Sequence, residues 1–234
     1  MHKDYQFISL LSGMDSFVAT HLYKESGKHG MAIIFDYGQP PEETEIAEKL
    51  ANILGMTLEI ILLDMDILRI GDSPFYPFRN AIFLATAANY VLTRTESRTI
   101  ITGLGTTSDD PAVCYPDASA SFINSLLYAL NLGVPDTDTI NIVSPISSWT
   151  KKEIFNWLVT NDLDEVIPLT TSCYENPNQQ FPWGVGCNVC PHCISRKMEY
   201  RASLANPAIY KAERKIINGQ STRARRVADK LRKS

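Results

Sequence analysis

Cys187, Cys190 and Cys193 recur at three-residue steps in the run Gly186-Cys187-Asn188-Val189-Cys190-Pro191-His192-Cys193, and Cys173 lies upstream of them. Two overlapping C-x-x-C steps gather three thiolates around one turn, and the fourth cysteine completes the tetrahedral sulfur set that structural Zn²⁺ prefers. His192, inside the run, could substitute as a ligand. The alternative is a disulfide pair or cysteines buried as small hydrophobes. Disulfides need an oxidising compartment, and Met1-His2-Lys3-Asp4-Tyr5 shows no apolar signal region. The expectation is a cytoplasmic protein with a scaffold metal, because four thiolates leave a zinc ion no open position for substrate.

A second pattern is Leu11-Ser12-Gly13-Met14-Asp15-Ser16, between an apolar run and a helical one. A glycine that lets backbone approach closely, a helix N-terminus with unpaired N–H groups, and two serine hydroxyls would suit a phosphate. Asp15 would repel phosphate without a metal ion or a backbone donor beside it. Neither G-x-x-x-x-G-K-[ST] nor G-x-G-x-x-G is present, and small polar residues also make ordinary turns and caps. Arg79 opens an almost wholly apolar helix, Ala81-Ile82-Phe83-Leu84-Ala85. A cation opposes the dipole there, so Arg79 needs another reason such as a phosphate or carboxylate.

The elements that must position these residues alternate. Phe7–Leu11, Met31–Phe35, Leu58–Leu63, Thr99–Thr102 and Ile140–Val143 are nearly continuous apolar runs, as in strands covered on both faces. Between or after them lie helical patterns over Ser16–Tyr23, Pro41–Leu54, Arg79–Leu92, Asp117–Leu130 and Thr150–Asn161, the last opened by the Thr150/Glu153 capping-box spacing. The expected fold is α/β, a doubly wound five-stranded parallel sheet with helices on both faces and a C-terminal helical zinc-binding segment. The expected domains are 1–165 for nucleotide, 166–210 for zinc, and a tail over 211–234. Ligands of such sheets sit beyond the carboxyl ends of the strands.

The loop at Ser12–Ser16 resembles the S-G-G-x-D-S phosphate loop of the ATP pyrophosphatase superfamily. Phe35-Asp36-Tyr37-Gly38-Gln39, Arg79-Asn80, Tyr115-Pro116-Asp117, Lys151 and the Cys173–Cys193 set follow in the order seen in the 7-cyano-7-deazaguanine synthase family. The resemblance runs from about Phe7 to Arg196. It implies adenylation of the carboxylate of 7-carboxy-7-deazaguanine by ATP, capture by ammonia to give the amide, and dehydration by a second ATP to the nitrile, with AMP and pyrophosphate released. It further implies that Ser12, Gly13, Met14, Asp15 and Ser16 hold ATP phosphates, with Asp15 near Mg²⁺, and that Asp36 and Gly103 belong to the nucleotide site. Lys151 and Arg79 would act on developing charge. Tyr37, Arg79, Asn80, Tyr115 and Asp117 would contact a flat heterocycle. The alternatives are a first-turn lysine in solvent for Lys151, a turn starter for Asp36, and helix caps for Asn80 and Asp117.

The chain also departs from that family. Leu11-Ser12 stands where the family loop has Ser-Gly, Pro40-Pro41 replaces Arg-His, and Ala118-Ser119 and Ser121 replace Cys-Arg and a later acidic residue. The segment from Asp64 to Arg79 is short. These changes keep open a relative that modifies nucleic acid or protein with a 7-deazaguanine, including in anti-phage defence, or a non-catalytic nucleotide-binding scaffold. A thiolation enzyme would have to use Cys114, the cysteine outside the cluster. No apolar run reaches the ~18 residues of a membrane span, so no membrane partner is expected. The net charge of -4 hides a tail over 211–234 of net +7, leaving -11 on the rest. That tail could touch nucleic acid or form a solvated amphipathic helix. The family often pairs, so a homodimer is expected.

Overall fold

The computed structural model describes residues 4–65, 76–104, 115–173, 175 and 179–204. Cys114, Pro74 and Phe75 of the run before Arg79, and the basic tail over 211–234 lie outside the described residues.

The five apolar runs form one all-parallel sheet: β1 (Phe7–Leu10), β2 (Gly30–Asp36), β3 (Leu58–Leu62), β4 (Thr99–Ile101) and β5 (Asn141–Val143), in the order β3-β2-β1-β4-β5. Continuous apolar sequence is what a strand covered on both faces requires, and β1 and β2 are buried almost throughout. Met31, Ile33 and Phe35 of β2 join Leu84, Ala87 and Val91 in one core cluster, while the alternate residues Ala32 and Ile34 face the other side of the pleat. The order reverses at β1, whose neighbours are β2 and β4.

Among the described residues, four helices accompany the sheet: α1 (Met14–Lys24), α2 (Pro41–Leu54), α3 (Arg79–Arg94) and α4 (Ala120–Leu132). α2 begins with proline at its first position, and Gly55 ends it in the left-handed conformation at φ 62. The helix expected from Asp117 starts three residues later. Pro116–Ala118 make a 3₁₀ turn, and Ser119 caps α4 by accepting from the Phe122 N–H. No helix among the described residues is long and apolar enough to cross a membrane.

The described residues divide into two units, the sheet unit up to 104 with 115–148, and a second unit over 149–204. The expected boundary after residue 165 therefore falls inside the second unit, because α5 (Lys151–Thr160) packs on α7 (Pro191–Leu204), with Phe155 edge-on to Tyr200 at 5.5 Å between centroids. The Thr150/Glu153 capping box opens α5 as expected. Between these helices come the one-turn α6 (Val166–Leu169) and a hairpin of β6 (Gln179–Phe181) and β7 (Gly184–Gly186). Buried Arg196 of α7 joins them, donating to the carbonyls of Trp183 and Ile167 and the hydroxyls of Thr170 and Ser172. Gly184, at φ +131, is forced by that crowding, since a Cβ there would meet Thr170 O at 2.5 Å and Arg196 Nε at 2.8 Å.

Candidate functional site

The turn after β1 occupies the topological switch point, where open α/β sheets form their ligand crevice. Gly13 caps α1 with extended backbone. Ser16 folds back over the turn, accepting from the N–H groups of Ser12 and Gly13, each at 3.0 Å, and donating to the Gly13 carbonyl at 2.9 Å. Its one donor and two lone pairs are committed, so Ser16 shapes the turn, and Ser12 is its exposed hydroxyl. Met14 is buried and Asp15 half-buried at the first two positions of α1. Buried Thr20 then anchors the helix to β1, donating to the Ser16 carbonyl and sharing a hydrogen bond with Ser9.

Gly103, after β4, lies against this turn. A Cβ there would stand 2.5 Å from Ser16 N, 2.7 Å from Asp15 C and 2.8 Å from Ser16 Cα. Only glycine lets the β4 loop press on the start of α1. Gly13 has open space, with nothing within 4 Å of a Cβ built there.

After β2 the chain turns sharply. The Asp36 carboxylate accepts from the Gly38 N–H at 3.2 Å, the turn-starting role weighed above. Gln39 accepts from the Tyr37 N–H at 2.7 Å and donates to the Phe35 carbonyl at 2.8 Å, which locks the loop. The Tyr37 hydroxyl then accepts from Arg79 at 3.1 Å, and the guanidinium stands 5.6 Å from the tyrosine ring centroid. Tyr76 packs edge-on to the same ring.

Glu43, in the first turn of α2, senses Arg79. Burial pushes its carboxyl above the ordinary range, and the arginine charge pulls it partly back. Acidic first-turn residues are common for dipole reasons alone, so nothing in sequence singles Glu43 out. Tyr37 and Glu43 are thus two of the neighbours of the cation at the start of α3.

Asp117 is buried and accepts from the Asn80 N–H at 3.1 Å. It therefore caps α3, satisfying an orphan amide of a helix distant in sequence. Asn80 itself is buried, and half-buried Tyr115 leads into the 3₁₀ turn. Phe78 precedes Arg79 in the left-handed region at φ 58, with its ring 67% exposed. Lys151 is the first residue of α5, in the second unit.

The four cysteines converge as their spacing predicts. One ligand atom from each of Cys173, Cys187, Cys190 and Cys193 lies within 4.8 Å of the others. The Cys187 and Cys193 sulfurs are 3.9 Å apart, close to the ~3.8 Å edge of a tetrahedron with Zn–S near 2.3 Å. The N–H groups of Cys190 and Cys193 point at the sulfurs of Cys187 and Cys190. Asn188 supplies the left-handed turn at φ 62, and Lys197 holds its side chain at 3.1 Å. Gly186 is close-packed, with a Cβ meeting Cys193 Sγ at 2.5 Å. As thiols Cys187 and Cys193 differ: amide donors pull Cys187 down to about 6, while burial pushes Cys193 up to about 12. A divalent cation would deprotonate both. His192 lies outside the group of four.

The residues after β1, β2 and β4 and the start of α3 thus gather at the carboxyl edge of the sheet, where the N-terminus of α1 and the Arg79 guanidinium both stand. The family model "Queuosine biosynthesis protein QueC" matches residues 70–204. A 7-cyano-7-deazaguanine synthase of Sulfurimonas denitrificans is 29% identical over 231 residues, covering 88% of this chain and 97% of the relative. One from Helicobacter pylori (strain HPAG1) is 32% identical over 226 residues, covering 86% and 96%. One from Campylobacter concisus is 29% identical over 206 residues, covering 79% and 88%.

Proposed function

Because the chain belongs to the QueC family, whose curated relatives include 7-cyano-7-deazaguanine synthases, we propose that it is an ATP-dependent carbon–nitrogen ligase acting on a 7-deazapurine carboxylate. The observation that carries this reading is the Ser12–Ser16 turn at the switch point, closed down on Gly103.

A carboxylate is a poor electrophile because its leaving group would be oxide. Its oxygen attacks the α-phosphorus of ATP, pyrophosphate departs, and the acyl group then carries AMP. Ammonia attacks the acyl carbon and AMP leaves with the bonding pair, giving the amide. A second ATP activates the amide oxygen in the same way. Loss of AMP and two N–H protons gives the nitrile.

The N-terminus of α1, with its dipole, faces the phosphates, and Ser16 keeps the turn in shape. Gly13 leaves space above the turn for the nucleotide to approach. Asp15 would hold Mg²⁺, which would supply charge neutralisation to the phosphates. Arg79 presents a planar cation to the substrate carboxylate, and Tyr37 fixes its orientation. Tyr115 stacks on the heterocycle. Asp36 and Asp117 contribute by shaping, one the β2 turn and the other the start of α3. Zn²⁺, held by the four thiolates, is scaffold and takes no part in these steps.

The test is incubation of zinc-loaded protein with ATP, Mg²⁺, ammonium and 7-carboxy-7-deazaguanine, with AMP, pyrophosphate and the base followed by mass spectrometry. Nitrile with two AMP per base supports the proposal. AMP without change in that base points to another carboxylate. No AMP from folded, metal-bound protein would overturn the enzyme reading.

A further inference from the structure

Among the described residues, three that are not glycine take left-handed backbone: Phe78 at φ 58, Asp162 at φ 59 and Asn188 at φ 62. Aspartate and asparagine visit that region readily, whereas a bulky side chain there is an outlier. Phe78 is held in it from both sides. The Arg79 N–H donates to the Tyr76 carbonyl at 3.2 Å, the Phe78 carbonyl accepts from the Ile82 N–H at 3.1 Å, and Asp117 takes the Asn80 N–H. Backbone strain held by its surroundings in this way concentrates at functional sites. Phe78 is 67% exposed, while the other described phenylalanines are buried or half-buried.

We propose that Phe78 is a substrate-contacting residue, whose ring stacks on the flat face of the 7-deazapurine while Arg79 beside it meets the carboxylate. The inference rests on the proposed function and adds to it a residue that grips the base. Phe78 stands at the start of α3, at the carboxyl edge of the sheet, one residue before the guanidinium that bonds Tyr37. The bond from the Asn80 N–H to Asp117 ties this segment to the one that carries Tyr115. Phe78 and Tyr115 each lie two residues upstream of a bonded partner, within about 7 Å of chain from the tie. Two rings on segments pinned in this way can flank a heterocycle, which needs about 3.5 Å on each face.

Packing does not account for the ring. Phe35, Tyr37, Tyr76 and Phe83 already lie ring on ring, with centroids 4.8 Å, 5.2 Å and 5.6 Å apart, and each is buried or half-buried. Glycine would adopt the same φ without strain. A strained aromatic that faces solvent beside an arginine fits a residue kept for its ligand at the expense of stability.

The experiment is titration calorimetry on the full zinc-loaded chain with 7-carboxy-7-deazaguanine, in the presence of Mg²⁺ and a non-hydrolysable ATP analogue, beside thermal melts. It compares wild type, Phe78→Gly and Phe78→Tyr. Phe78→Gly should melt roughly 2–4 °C higher because the strain is relieved. It should nevertheless bind the base about tenfold more weakly, since the stacking ring is gone. Phe78→Tyr keeps a ring and should bind the base within about twofold of wild type. A purely structural role would leave base affinity alone in both variants. If the glycine variant fails to fold, Phe78→Asn takes its place, because asparagine tolerates left-handed backbone. Unchanged base affinity in a folded variant without the ring overturns the inference and leaves the proposed function standing. So does a loss in Phe78→Tyr equal to that in Phe78→Gly. A wild type that does not bind this base overturns the 7-deazapurine reading and this inference with it.

Discussion

Gly103 and Gly13 separate the two demands on the Ser12–Ser16 turn, close packing and, in the proposed function, access for the nucleotide. A methyl at Gly103 would lie 2.5 Å from Ser16 N and 2.8 Å from Ser16 Cα, where an ordinary contact is about 3.5 Å. Something must therefore move by roughly 1 Å. The neighbours are backbone of α1, anchored through Thr20 and Ser9, so no flexible side chain can absorb the shift. Forced insertion of this kind costs about 1–3 kcal/mol. At about 2–4 °C per kcal/mol for a chain of this size, Gly103→Ala should lower the melting temperature by roughly 2–12 °C. Displacement of the phosphate amides by about 1 Å should lower turnover on the order of 100-fold. Gly13→Ala places its methyl in open space on extended backbone, so its melting temperature should stay within about 2 °C, while ATP-dependent AMP release falls because the methyl occupies the approach to the turn. Thermal denaturation and AMP release, measured on both variants, decide the matter. Gly103→Ala with unchanged melting and turnover would refute the close-packing argument. Equal loss of stability in both variants would refute the distinction between them.

Three further outcomes are expected. Asp117→Ala should cost about 1–2 kcal/mol by uncapping α3 at Asn80, while Asp117→Asn keeps an acceptor and should recover most of it in thermal melts; equal losses would rule out the cap. Cys190→Ser should drop bound zinc well below one per chain by atomic emission, and chelation should make the second unit protease-sensitive while the sheet unit persists; zinc retained at one per chain would count against the four-cysteine site. Glu43 has its folded pKa raised by burial, so its contribution to stability is full below the unfolded value and lost as pH rises through the folded one. Glu43→Gln should therefore raise the melting temperature at pH about 7 and leave it unchanged at pH about 4, and a loss at pH about 7 would reverse the assigned cause.

What the sequence disclosed follows from how local each signal is. Strands and helices of the sheet unit were legible because continuous apolar runs and the 3.6-residue period are written in adjacent residues, and the Thr150/Glu153 box marked its helix start to the residue. The cysteine cluster was legible because three ligands share one turn. Roles set by distant partners were not. Asp117 looked like the cap of its own helix, and only packing reveals that it serves Asn80, 37 residues away. Ser16 looked like a donor for phosphate, yet its hydroxyl closes the turn from within. The β6–β7 hairpin escaped notice because it has three-residue strands and depends on Arg196 of a later helix, so its sequence carries too little alternation to be read. Glu43 gains its interest from Arg79, which belongs to another helix. The contacts that tune the site are thus mostly between elements, and that is where the family's pattern and this chain's departures from it must be weighed. Pro40-Pro41 begins α2 cleanly and so sets where Glu43 stands relative to Arg79. The replacement of Arg-His there by two prolines therefore acts on the surroundings of Arg79 and leaves the turn at Ser12–Ser16 intact.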